Sequence, residues 1–352
     1  MPDSLSPFTV VLIVPTGVGA AIGGYAGDAL PVARAIAQIS DRLITHPNVL
    51  NGAQLYWPLD HTYYVEGYGL DRFAAKEWGL RPVRQNKVGL LLDCGIEPEL
   101  RLRHLQAADA TRATLGLNLT DYVVTDAPLE VELHTADSGA SWGTIGNPGS
   151  LLRAAEKLIK QGGAEAIAIV ARFPDDPSES LQNYRHGSGV DHLAGAEAVI
   201  SHLIVRQFQI PAAHAPALLP LAVDPDISPR AAAEELGYTF LPCVLVGLSR
   251  APQFITDPSP SNSLDAIWSD TVDAVVVPYS SCGGSAILSL ANFAQIIAVT
   301  NNTTQIQVPP EPLGIKVTPV DSYLEALGVI AALRAGIDFR VLNPAISTLR
   351  SL

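Results

Sequence analysis

Val272-Asp273-Ala274-Val275-Val276-Val277, running directly into Pro278-Tyr279-Ser280-Ser281-Cys282-Gly283-Gly284-Ser285, is the stretch whose reading decides the fold. Its first half is a β-branched run of the kind that forms a buried strand, and an apolar helical pattern begins at Ala286, just beyond its second half. A strand that ends in small, hydroxyl-bearing and glycine residues where a helix starts leaves backbone N–H groups pointing into open space. The positive end of the helix dipole then lies behind them. Such a turn can hold an anion through Ser281, Gly283, Gly284 and Ser285. It also carries Cys282, whose pKa a helix N-terminus would lower, making it a candidate nucleophile.

Outward from this unit the same alternation covers nearly the whole chain. Residues 10–14, 88–92, 122–125, 166–170, 240–247, 274–277 and 296–300 read as buried strands, being short, rich in Val, Ile and Leu, and closed by turn formers. Helical patterns fall between them at 31–43, 97–115, 150–161, 193–207, 229–236, 286–293 and 322–335. The alternation predicts an α/β fold, Rossmann-like, with a mostly parallel sheet or sheets covered by helices on both faces and ligand chemistry at the carboxyl ends of the strands. A soft boundary near residue 210 would divide it into two subdomains around a cleft, 1–210 and 211–352; one large domain is the alternative.

With 352 residues, nearly half of them apolar and few aromatic, the chain has ample core for this class. The net charge of −13 argues against nucleic acid or an anionic membrane surface as partner, since both need clustered Lys and Arg. It does not exclude a local anion site, because backbone amides and one or two arginines can invert the field nearby. Three cysteines without metal-ligand spacing fit a reducing compartment, so the expected location is the cytosol. The uncharged stretch 8–27 has the length of a membrane span, but Pro15 and five glycines within it read as strand, turn and helix start.

Three loops gather the groups that chemistry needs. The glycine-rich turn from Pro15 to Asp28 follows the first strand, with Thr16, Gly17, Gly19, Gly23 and Gly24 as candidate ligand contacts. Its third glycine comes one position late for a dinucleotide turn, no clear acidic ribose ligand follows, and no Lys marks a nucleotide P-loop. The bland reading is a tight turn that lets the helix pack on the sheet. The loop from Arg172 through Tyr184-Arg185-His186-Gly187-Ser188-Gly189-Val190-Asp191-His192 is the densest set of acid/base groups. There Arg172 or Arg185 would clamp a carboxylate or phosphate, and His186 or His192 with Asp191 would move a proton. The competing reading makes Asp191 a helix cap and the histidines surface residues. His186, Asp191 and His192 could hold a metal but match no familiar spacing, so no metal ligand is assigned, and the sequence names no cofactor. Thr300-Asn301-Asn302-Thr303-Thr304 offers Asn301 and Asn302 to the same ligand, or else a loop that caps itself. His46 and Asn48 are placed to line the same cleft. Cys94 and Cys282 facing one another would suit a two-base isomerase or racemase.

Taken together, the run from Pro15 to Asp28, the His46-Pro47-Asn48 segment, the Tyr184–His192 loop and the Ser281–Ser285 turn resemble an uncharacterised protein family of cyanobacteria and plastid-bearing plants. The resemblance spans nearly the whole chain and implies neither an activity nor a catalytic residue. Residues 273–304 are also similar to the donor-binding half of two-domain glycosyltransferases. That likeness implies a nucleotide-sugar diphosphate at Gly283 to Ser285, although 286–293 lacks the expected Glu. The expectation is therefore an enzyme acting on a phosphorylated, nucleotide-like or carboxylated small molecule, as a monomer or homo-oligomer. A non-catalytic sensor using the same cleft, or a cysteine-dependent isomerase, is the competing class.

Overall fold

A computed structural model describes residues 6–51, 58–175, 179–236, 240–257, 266–346 and 348–349. In chain order its strands are β1 (Thr9–Leu12), β2 (Arg42–Thr45), β3 (Thr62–Tyr64), β4 (Gly79–Arg81), β5 (Val88–Leu92), β6 (Leu119–Val124) and β7 (Val131–Thr135). They continue with β8 (Ser141–Ile145), β9 (Ala166–Arg172), β10 (Ala212–Ala217), β11 (Gln253–Ile255), β12 (Val272–Pro278), β13 (Gln295–Val299) and β14 (Val317–Val320). Two sheets dominate. A six-stranded one has the order β14-β13-β12-β1-β2-β3, and a four-stranded one the order β10-β9-β5-β6. All pairings within both are parallel, as the unbroken apolar strands require: a strand covered on both faces has no reason to alternate.

The α/β expectation holds, but the sheets do not divide at residue 210. β1 pairs with β12, Val10 beside Ala274, so the two ends of the chain build one sheet while its middle builds the other. One continuous core joins them, running from Leu12 and Val276 through Leu245 and Leu248 to Leu90 and Val170.

Residues 240–247 correct the sequence reading. They belong to a helix, Leu241–Arg250, not a strand. Nearly every side chain from Leu241 to Ser249 is buried, because this helix touches strands of both sheets. A helix buried on all sides shows no 3.6-residue period and mimics a strand in sequence. Pro242 sits in its first turn, where no N–H is needed. At its other end the buried Asn86 amide donates to the carbonyls of Leu248 and Ala251, satisfying groups that the helix leaves open. Gly247 permits the closest approach: a Cβ there would stand 2.6 Å from the Tyr64 ring.

Candidate functional site

Because both sheets are parallel, the loops leaving their carboxyl ends are the natural walls of a ligand site, and here the two sets of loops enclose a single cavity of about 670 Å³. The six-stranded sheet contributes Pro15 and Thr16 after β1, His46 to Asn51 after β2, Glu66 after β3, and Gly284 to Ile287 beyond β12. The four-stranded sheet supplies Asp175, Tyr184 and Arg185 after β9, the segment from Asp191 to His202, and Pro216 to Leu221 from β10 onward.

A polar network crosses this cavity. Glu66, only 4% exposed, caps the helix Gly67–Ala74 by accepting from the Tyr68 and Gly69 amides. It also accepts from His202 Nε2 at 2.9 Å. Burial opposes a charge on His202, yet the bond to Glu66 outweighs it and raises the imidazole's pKa. Ser201 Oγ lies 3.5 Å from Glu66 and 3.2 Å from His214 Nδ1, and His214 Nε2 lies 3.5 Å from Glu197.

Near the Glu197 end of this chain, Asp191 accepts at 2.9 Å from the amide of Leu193, the residue before the helix Ala194–Phe208. Burial, then repulsion from Glu197, pushes its pKa up to about 7. Glu234 beside it is raised further, by burial and by Asp191. Glu234 accepts from the Ala26 amide and from Tyr184 Oη at 2.7 Å, and Tyr184 stacks on Tyr25. Among the described residues, seven carboxyl side chains and four imidazoles line the cavity against one guanidinium, that of Arg185.

Of the residues singled out from sequence, Thr16, His46, Asn48, Arg185, Asp191, His192, Gly284 and Ser285 line the cavity. The others lie elsewhere. Three amides of the glycine-rich turn are occupied within the protein: Ala21 donates to Thr303, Ile22 to Asn302 Oδ1, and Gly23 to Asp28. Asn302 thus clasps this turn, donating back to the Ile22 carbonyl, while Asn301 is exposed. Gly19 has φ +61, and a Cβ there would meet the Gly189 carbonyl at 2.7 Å, so the first and second candidate loops touch. Gly17 packs on Ser141, Gly24 on the Ala20 carbonyl, and Gly283 on Val308.

Cys282 is fully buried, its Sγ turned toward the Tyr279 carbonyl, and burial followed by Glu311 raises its pKa to about 11. This is the reverse of the expected activation, so Cys282 is a core residue and no thiol pair with Cys94 faces the cavity. Ser281 is buried against Thr304. The first amide beyond Ser285, that of Ala286, already donates to Asp71 at 3.0 Å. Arg172 is held by Glu97 and Asp175, and Arg185, 6% exposed, by both Glu235 oxygens. His186 pairs with Asp224 outside the cavity. Sequence reasoning missed Glu66, Glu197, Ser201, His202, His214 and Glu234, because each sits inside a helix or strand pattern or its cap rather than in a loop.

A family model described as "Protein of unknown function (DUF3326)" matches residues 9–343. The chain belongs to this family. The resemblance to an uncharacterised family, carried by the glycine turn, the His46 segment, the Tyr184–His192 loop and the Ser281–Ser285 turn, agrees with this match. The chain is also 60% identical over 338 residues to a protein of a Synechococcus strain named an uncharacterized lipoprotein, covering 96% of this chain and 93% of that relative. That name overturns the cytosolic expectation drawn from cysteine usage. Among the described residues no helix is long and apolar enough to cross a membrane. The likeness to glycosyltransferases finds no support in either comparison.

Proposed function

We propose that the cavity between the two sheets is the site of an enzyme that binds a small molecule without net negative charge and moves a proton on it, with Asp191 as the acid–base group. The observation that carries this reading is the wall itself: a cavity of about 670 Å³ with Asp191, Glu197 and Glu234 on one side and only Arg185, already held by Glu235, to offset them. An anionic ligand would add a charge beside carboxyls that burial and mutual repulsion already hold protonated, whereas an uncharged or cationic group would not. Asp191, poised at about 7, is matched to giving and taking protons near neutral pH.

Thermal-shift screening of uncharged, cationic and phosphorylated metabolites, followed by NMR of the reaction mixtures, tests the proposal. Hits are expected in the first two sets, with conversion that falls by roughly 100-fold or more in Asp191→Asn while binding persists. Stabilisation only by phosphorylated compounds would refute the ligand class. Binding without conversion would make the protein a sensor.

A further inference from the structure

His46 and Asn51 bracket the one-turn helix Pro47–Leu50 that follows β2, as its N-cap and C-cap residues. Both side chains line the cavity and both are 7% exposed. Each has one polar atom engaged and one left over. The Val14 backbone amide points at His46 Nε2, 3.1 Å away. A backbone N–H can only donate, so Nε2 is the acceptor of a neutral ring and the proton resides on Nδ1. That Nδ1–H makes no capping bond to its own helix and has no partner among the described residues. Burial supports the neutral form, pushing the pKa down to about 4.

Asn51 follows the same logic. The buried hydroxyl of Tyr64 donates to Asn51 Oδ1 at 2.9 Å, its single hydrogen-bond partner among the described residues. The carbonyl end of the amide therefore faces Tyr64, and the Nδ2 group is left without a partner among the described residues. Both residues line the cavity, so a donor without an acceptor among the described residues is available to one that a ligand brings.

We infer that His46 Nδ1–H and Asn51 Nδ2–H form the acceptor-recognising end of the cavity, built for the carbonyl oxygen of an uncharged ligand. This deepens the proposed function and rests on it: a neutral compound enters, its carbonyl is held by two uncharged donors, and Asp191 exchanges the proton elsewhere on the molecule. A carbonyl fits better than a carboxylate, because neither donor carries charge and the surrounding wall is acidic. A cation is excluded from this end, since both groups only donate.

The test reads the imidazole nitrogens by ¹⁵N NMR on the full chain. In the free protein His46 should show the Nδ1–H tautomer unchanged between pH 8 and 5. Acetamide, an uncharged carbonyl probe, should shift Nδ1 saturably, acetate at least several-fold more weakly, and tert-butylammonium not at all. Asn51→Asp keeps an acceptor for Tyr64 but replaces the donor, and should weaken acetamide about tenfold without altering the tautomer. An Nε2–H tautomer would overturn the inference, as would acetate matching acetamide or an unchanged Asn51→Asp response. Should acetamide move His192, His202 or His214 but not His46, the donor assignment falls while the cavity reading stands. If no probe moves any of the four, both fall.

Discussion

Asp191 and His46 tilt stability with pH in opposite directions, which makes single residues the right scale at which to test the site's electrostatics. His46 is held neutral below its ordinary range, so its contribution is present above about pH 6.5 and is lost as pH falls toward 4. Asp191 is raised, so the native state keeps a proton that the unfolded chain has released. Its contribution is therefore complete below about pH 4 and is lost as pH climbs through 7. Between pH 4 and 6.5 the two oppose each other, and the wild-type curve alone cannot separate them. Asp191→Asn removes one side of this balance while keeping an oxygen for the Leu193 amide. The Tm of the variant minus that of the wild type should therefore rise by several degrees from pH 5 to pH 8. A difference that does not change with pH would mean that Asp191 is ionised throughout. Asp191 was legible in the sequence as a polar residue before a helix; its environment was not, because Glu197 and Glu234 reach it through the fold.

Among the elements, the helix Leu241–Arg250 explains most of what the sequence concealed. The parallel strands β5, β9, β12 and β13 were readable from their uninterrupted Val, Ile and Leu runs, and the long helices as the segments between them. Leu241–Arg250 has an equally apolar run for a different reason, burial between two sheets, and composition cannot tell the two cases apart. The short strands β2, β3, β4 and β11, three or four residues each, carry too little pattern to register. The same helix also holds the cavity's donor end in place, since Gly247 lets it close on the Tyr64 ring whose hydroxyl fixes Asn51. In an exposed helix Gly→Ala would stabilise by about 1 kcal/mol. Here the new Cβ would stand 2.6 Å from the ring, so Gly247→Ala should instead destabilise by about 1–3 kcal/mol in denaturant titration. A gain in stability would show that the helix and β3 can separate freely.

At the scale of the whole molecule, the chain's course decides whether the cavity can exist without both halves. β1, β2 and β3 lie N-terminal to the middle sheet and β12, β13 and β14 C-terminal to it, yet they form one sheet through the β1–β12 pairing. β10, just past residue 210, pairs with β9 from Ala212 beside Ile167 to Ala217 beside Arg172. A cut at 210 therefore breaks a parallel pairing in each sheet at once and exposes long apolar edges on both products. The cavity is divided as well, with His46, Glu66 and Asp191 on one fragment and His214, Glu234 and Ser285 on the other. Produced separately, fragments 1–210 and 211–352 should each lack a cooperative thermal transition. Produced together, they should associate into a one-to-one complex that melts cooperatively. A sharp transition for 1–210 alone would mean that β1 to β3 hold their places without β12, and the two-sheet cavity would then be a contact between independent units rather than a feature of one core.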